Sequence, residues 1–129
     1  MRTTIYYTLF SVLTFSCMNK SPQYEYADGS ANVYRITNST LNFIPIKPEE
    51  SSSGTFSGGV PKTVQLTSSQ FDEIRTVMEQ GIGNARIHIV DRVKMSGVIT
   101  VINGKHQRQY ILKPNCTELQ AIEKVLKRY

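Results

Sequence analysis

Few residues in this chain of 129 are of a type that does chemistry, and their spacing limits what that chemistry could be. The cysteines are Cys17 and Cys116 and the histidines His88 and His106. A thiol nucleophile needs a base within hydrogen-bond reach and oxyanion donors. No spacing brings either histidine to Cys116. The pattern around it places Cys116 at the first position of a helix, where a thiol pKa can be lowered, but a free, half-buried cysteine is the default. Asp72 and Glu73 are adjacent on a helical pattern, so their carboxylates point about 100° apart rather than at one substrate. Two isolated histidines are too few for a metal site. Gly54, Gly58 and Gly59 lack the Lys-Ser/Thr pair of a phosphate-cradling loop. The reading is therefore a non-enzyme with no catalytic residue, no metal ligand and no cofactor.

Two stretches carry recognition instead. Residues 1–85 hold six Lys or Arg against seven acids, while residues 86–129 hold nine against three, so the net charge of +5 belongs to the C-terminal third. Lys124, Lys127 and Arg128 sit where a helix C-terminus favours cations. The rest, Arg86, Arg92, Lys94, Lys105, Arg108 and Lys113, are expected on or beside one hairpin, with Lys105, His106 and Arg108 as the candidate basic patch. Such a patch suits anionic lipid headgroups, lipopolysaccharide, peptidoglycan carboxylates or an acidic protein; a merely solvated face is the alternative. Nucleic acid is disfavoured, since the hairpin offers only Tyr110 for base stacking.

The second stretch is residues 47–61, KPEESSSGTFSGGVP, with four serines, three glycines, two prolines and a lone Phe56. Loops of this length are functional or disordered more often than not. Three readings stand open: a flexible surface excursion, a binding loop built on Phe56, Gly58 and Gly59, or a bait that enters a peptidase cleft as a strand.

The N-terminus speaks to place. Arg2 gives a positive start, residues 5–15 are mostly apolar, and Ser16-Cys17 follows. The run is well short of the roughly 20 residues of a spanning helix. Residues 13–17, LTFSC, resemble the lipobox of bacterial lipoproteins, in the loose form of the Bacteroidota. Ser16 fits the pattern, whereas Thr14 stands where an aliphatic residue belongs and Phe15 is bulky for its place. The resemblance implies acyl chains on Cys17 and a membrane partner through them. An ordinary secretory signal, with Cys17 free or paired to Cys116, is the other reading. Met18 is not the aspartate that retains such proteins in the inner membrane of many proteobacteria, and MNKSPQYEY lacks an acidic surface-export cluster. The resemblance thus implies the outer membrane, facing the periplasm.

The elements that would position these residues follow from period and punctuation. Residues 1–16 read as signal, 17–30 as lipid anchor and linker, and 31–129 as one domain with a flexible loop at 47–61. Residues 31–37 and 40–46 alternate as strands, Pro45 marking an edge or a strand end; residues 62–66 form another. Thr67 with Gln70 makes a capping box, Leu66 and Phe71 a staple, and Phe71, Ile74, Val77 and Met78 a helical stripe that Gly81 stops. Residues 86–90 suit a short strand. Asn103-Gly104 between β-rich runs signals a hairpin, pairing Ile102 with Lys105 and Val101 with His106. Its face carrying Ile99, Val101, Tyr110 and Leu112 is expected to pack on helices, with His106 and Arg108 toward the tip. Asn115 caps a last helix with Leu119, Ile122, Val125 and Leu126 inward.

The order predicts an α+β two-layer sandwich, a mainly antiparallel sheet with two amphipathic helices on one face. The functional expectation is a small cell-envelope lipoprotein that binds a protein or an anionic envelope component without catalysis. The alternative is a protease inhibitor or immunity-type lipoprotein using residues 47–61.

Overall fold

The computed structural model describes residues 20–129. The signal segment and Cys17 lie outside them. Seven strands form one sheet: β1 (Gln23–Ala27), β2 (Val33–Ile36), β3 (Thr40–Ile44), β4 (Lys62–Gln65), β5 (His88–Ile89), β6 (Gly97–Asn103) and β7 (His106–Leu112). Their order is β4-β3-β2-β1-β6-β7-β5, with every neighbouring pair antiparallel. Two helices, α1 (Ser68–Gly83) and α2 (Thr117–Leu126), pack on one face. This is the α+β two-layer architecture that the sequence pattern predicts.

Alternation along the strands sorts the faces. Tyr24 pairs with Ile36 on one side and Val101 on the other, and Tyr26 with Tyr34 and Ile99. These residues, with Leu41 and Leu112, turn toward the helices and meet Ile74, Met78, Ile122 and Leu126 in the core. Glu25, Arg35 and Asn42 occupy the opposite face, where Arg35 pairs with Glu25 at 2.9 Å. The hairpin face bearing Ile99, Val101, Tyr110 and Leu112 is indeed the inward one: Ile99 and Leu112 are fully buried, and Val101 and Tyr110 pack against the core.

The central strand β1 pins both helices. Tyr24 donates its hydroxyl to Glu79 of α1 at 2.5 Å, and Tyr26 donates to Glu123 of α2 at 3.1 Å. Two aromatic rings fill the core while their polar tips reach carboxylates at its rim, the arrangement a buried tyrosine requires.

Several local expectations need correction. The segment read as linker to Ser30 contains β1; its alternation of Gln23, Tyr24, Glu25 and Tyr26 is a strand pattern that the polar neighbours conceal. Helix α1 begins as expected, Gln70 N–H donating to Thr67 Oγ1 and Thr67 N–H to Gln70 Oε1. It does not stop at Gly81 but runs to Gly83. A Cβ on buried Gly81 would lie 3.1 to 3.3 Å from methyl groups of Ile99, Ile122 and Leu112, so this glycine serves close helix approach. In α2 the N-cap is Cys116 rather than Asn115, which instead takes φ +59°, a conformation asparagine tolerates. Residues 85–87 form a turn of 3₁₀ helix, which shortens the strand expected at 86–90 to β5.

The hairpin register also differs. Asn103 pairs with His106, Ile102 with Gln107, Val101 with Arg108 and Ile99 with Tyr110. Gly104 and Lys105 are the two turn residues, with Gly104 at φ +58° and Lys105 outside the positive region. That is the sign pattern of a type II′ turn, whose first central position favours glycine. β6 gains Asn103, β7 begins at His106 rather than Lys105, and the faces keep their composition.

Candidate functional site

The tip of the β6–β7 hairpin lies beside the part of α1 that carries Glu79 and Ile82. The Tyr24 hydroxyl on Glu79 ties α1 to β1, and Tyr24 stands opposite Val101 of β6. A groove of about 460 Å³ lies between α1 and the hairpin. Ile82, Val101 and the Tyr110 ring give it apolar walls; Glu79, His106 and Arg108 bring the charged and titratable groups. Pro22 closes one end, where the chain enters β1. The register explains the cast. Val101, Arg108 and Tyr110 share a face by alternation, and Arg108 lies opposite Val101.

The polar atoms of this groove divide into spent and unspent. Glu79 receives the Tyr24 hydroxyl, and burial together with that bond pushes Tyr24 well above the ordinary tyrosine range. His88 stands behind the groove: its Nε2–H donates to the Gly81 carbonyl at 2.9 Å, and its ring packs on Tyr110 with centroids 5.3 Å apart. Tyr110 is therefore held. Lys105, His106, Gln107, Arg108 and Gln109 are all exposed, and their side chains make no hydrogen bond among the described residues.

The other predicted site is at the opposite end of the sheet. The loop at 47–61 is closed by Gly58 N–H on the Ile46 carbonyl at 3.0 Å, which makes a compact loop with adjacent ends. Inside it, Ser51 Oγ donates to the Pro48 carbonyl and accepts from Phe56 N–H. Phe56 is 47% exposed beside a shallow hollow of about 650 Å³ that also touches Ser30 and Lys94. Gly58 and Gly59 have structural reasons to be glycine. A Cβ on Gly58 would stand 1.9 Å from Asn32 Oδ1, and Gly59 takes φ +114°.

Of the expected basic cluster, Lys105, His106 and Arg108 stand together at the turn, while Arg86 lies in the 3₁₀ turn just before β5. Arg92 donates to the Asp28 carbonyl and Lys94 borders the Phe56 hollow, both at the far end. Lys113 follows β7 at its far end, its N–H on the Ile87 carbonyl. Sequence reasoning missed Glu79, Ile82 and the wall role of Tyr110. Their signal is weak, because the groove is formed between elements distant in sequence. Cys116 is buried at the α2 N-cap and forms no disulfide among the described residues.

No group of three metal-ligating side chains occurs among the described residues, and no described helix is long and apolar enough to cross a membrane. No protein-family model matches the chain, and no curated protein or solved structure matches it.

Proposed function

We propose that this protein is a small cell-envelope lipoprotein, held to the membrane through acylated Cys17, whose domain binds a partner without catalysis. The observation that carries the binding role is the groove between α1 and the hairpin, with His106 and Arg108 unspent in its lining and Lys105 beside them at the turn. The anchor rests on the lipobox resemblance of residues 13–17. Two acyl chains suffice for stable attachment, at about 0.8 kcal/mol per buried CH₂. Pro22 borders the groove, so the five residues after Cys17 span at most about 18 Å between anchor and site. The partner is a protein or an anionic component of the envelope, and the outer membrane facing the periplasm is the location the leader favours.

The test is co-purification of the natively anchored protein from membranes. The wild-type chain stays in the membrane pellet after a high-salt wash and brings a partner with it; Cys17→Ser leaves the pellet. Retention of Cys17→Ser would remove the anchor. Co-purification unaffected by Lys105→Glu with Arg108→Glu would remove the hairpin as the site.

A second reading, an inhibitor or immunity-type protein, draws on Phe56, half-exposed on a loop whose neck is held by the Gly58–Ile46 bond. It predicts that Phe56→Ala abolishes protection against a peptidase while the hairpin variants keep it.

A further inference from the structure

β5 is too short to cover β7. It pairs only with Ile111 and Leu112, so residues 106–110 have no strand on their outer side. The direction of the free backbone groups follows from one bond. Lys113 N–H points toward the β5 side, onto the Ile87 carbonyl at 2.8 Å. Alternate residues of a strand direct their amides to the same side, so Gln107 and Gln109 present their N–H and C=O groups outward. Val90, 91% exposed, follows β5 where a continuing strand would cover Tyr110, and no described strand takes that place.

We infer that this open edge accepts an extended acidic peptide as an added strand, antiparallel to β7 and in line with β5. The inference rests on the reading of the hairpin end as the partner site and names the class of partner. Residues directly opposite in an antiparallel pair share a face, with Cβ atoms about 5 Å apart. Peptide residues opposite His106, Arg108 and Tyr110 therefore project to the helix side, against the groove. The positions opposite His106 and Arg108 meet unpaired donors, and the position opposite Tyr110 meets the Tyr110–Ile82 wall. Read from the peptide N-terminus, the preferred pattern is apolar, any, acidic, any, acidic. Glu79 is the opposing negative charge in the groove, and it is occupied by the Tyr24 hydroxyl; Lys105 at the turn adds positive charge beyond Arg108. Main-chain bonds supply affinity in this mode and the alternate side chains supply selection.

The experiment titrates the full ¹⁵N-labelled chain with a hexapeptide, Val-Thr-Glu-Thr-Glu-Thr, blocked at both ends. Three comparisons accompany it: the same peptide with Gln for Glu, a version N-methylated on its central residues, and vesicles of phosphatidylglycerol. The acidic peptide slows amide exchange at Gln107 and Gln109 and binds roughly tenfold or more tightly than the Gln version at low salt, an advantage that shrinks as salt rises. N-methylation abolishes binding. Arg108→Glu reverses the preference. Gln109→Pro removes an outward N–H without touching a β6 bond and weakens binding; should it fail to fold, the N-methylated peptide asks the same question. Equal affinity for the acidic and Gln peptides, or exchange at Gln107 and Gln109 unchanged by peptide, overturns the inference. Vesicle binding without peptide protection overturns it too and makes the patch a lipid-facing surface, with Arg108 an inward charge that blunts the edge. Cys17→Ser leaves peptide binding unchanged, so the anchor and the edge fail separately.

Discussion

The two ends of the sheet use their polar groups in opposite ways. At the loop end, almost everything is consumed internally. Asp28 accepts from the N–H groups of Ser30 and Asn32 and from Asn32 Nδ2, while Asn32 Oδ1 takes the Ile46 N–H. Gly58 fits against Asn32, Gly29 fits against the Met95 backbone, and Ala31 and Met95 accept positive φ to close the junction. At the hairpin end, the tip side chains bond to nothing among the described residues and the outer backbone edge is bare. A junction that spends its donors and acceptors holds the fold; an end that leaves them unspent is available to a partner. The serine-rich loop, the more conspicuous composition, belongs largely to the first kind.

That contrast can be broken most sharply at Gly58. Gly58→Ala drives a methyl into Asn32 Oδ1 and against Pro45, displacing the side chain that holds Asp28 and Ile46. A loss of about 3 kcal/mol is expected, measured by denaturant unfolding. A change below a few tenths would mean that the loop end is not the closed junction described.

Next in size are the two tyrosine pins, one per helix. Tyr26→Phe and Tyr24→Phe each remove a bond to a carboxylate and cost about 2 kcal/mol. The Tyr24 change frees Glu79 inside the groove, so it also weakens binding of an acidic partner, whereas Tyr26→Phe changes stability alone. Equal effects on binding would erase the distinction between the ends.

The same pins give a smaller, pH-dependent signal. Burial and the neighbouring glutamates raise both tyrosine pKa values in the folded chain. Above the ordinary value of about 10 the unfolded chain releases phenolic protons that the folded chain keeps. Stability from this source is complete below pH 10 and is lost as pH rises beyond it. Unfolding midpoints between pH 9 and 11, compared with the double Phe variant, read the slope; parallel curves would contradict the shift.

The smallest stability change is expected where binding changes most. Lys105→Ala with Arg108→Ala stays within about 0.5 kcal/mol of wild type, because exposed side chains without partners contribute little. Thermal unfolding checks this, and a large loss would show that the hairpin end is structural after all.

Much of the fold was legible because it is written in local period. The Thr67–Gln70 capping box, the stripe through Phe71, Ile74 and Met78, and the inward face of the hairpin all depend on neighbours within one turn or one strand. The candidate patch at Lys105, His106 and Arg108 was legible for the same reason, since a two-residue turn must bring its flanks together. β1 was hidden among polar residues, although Tyr24 and Tyr26 alternate as strand residues should. Gly81 was misread because a glycine near a helix end is ambiguous between a stop and a packing site, and only the approach of Ile99, Ile122 and Leu112 decides it.

By itself, then, the sequence determined which faces are apolar, where α1 begins and which end carries the charged turn, all consequences of a chain's own geometry over a few residues. It also carries the lipobox resemblance at Cys17, which addresses place and not partner. The tertiary structure decided the hairpin register, the placing of α1 against Tyr24, the short cover that β5 gives to β7, and therefore the groove and the open edge. These depend on how elements distant in sequence differ in length once packed side by side, and no local pattern encodes that difference.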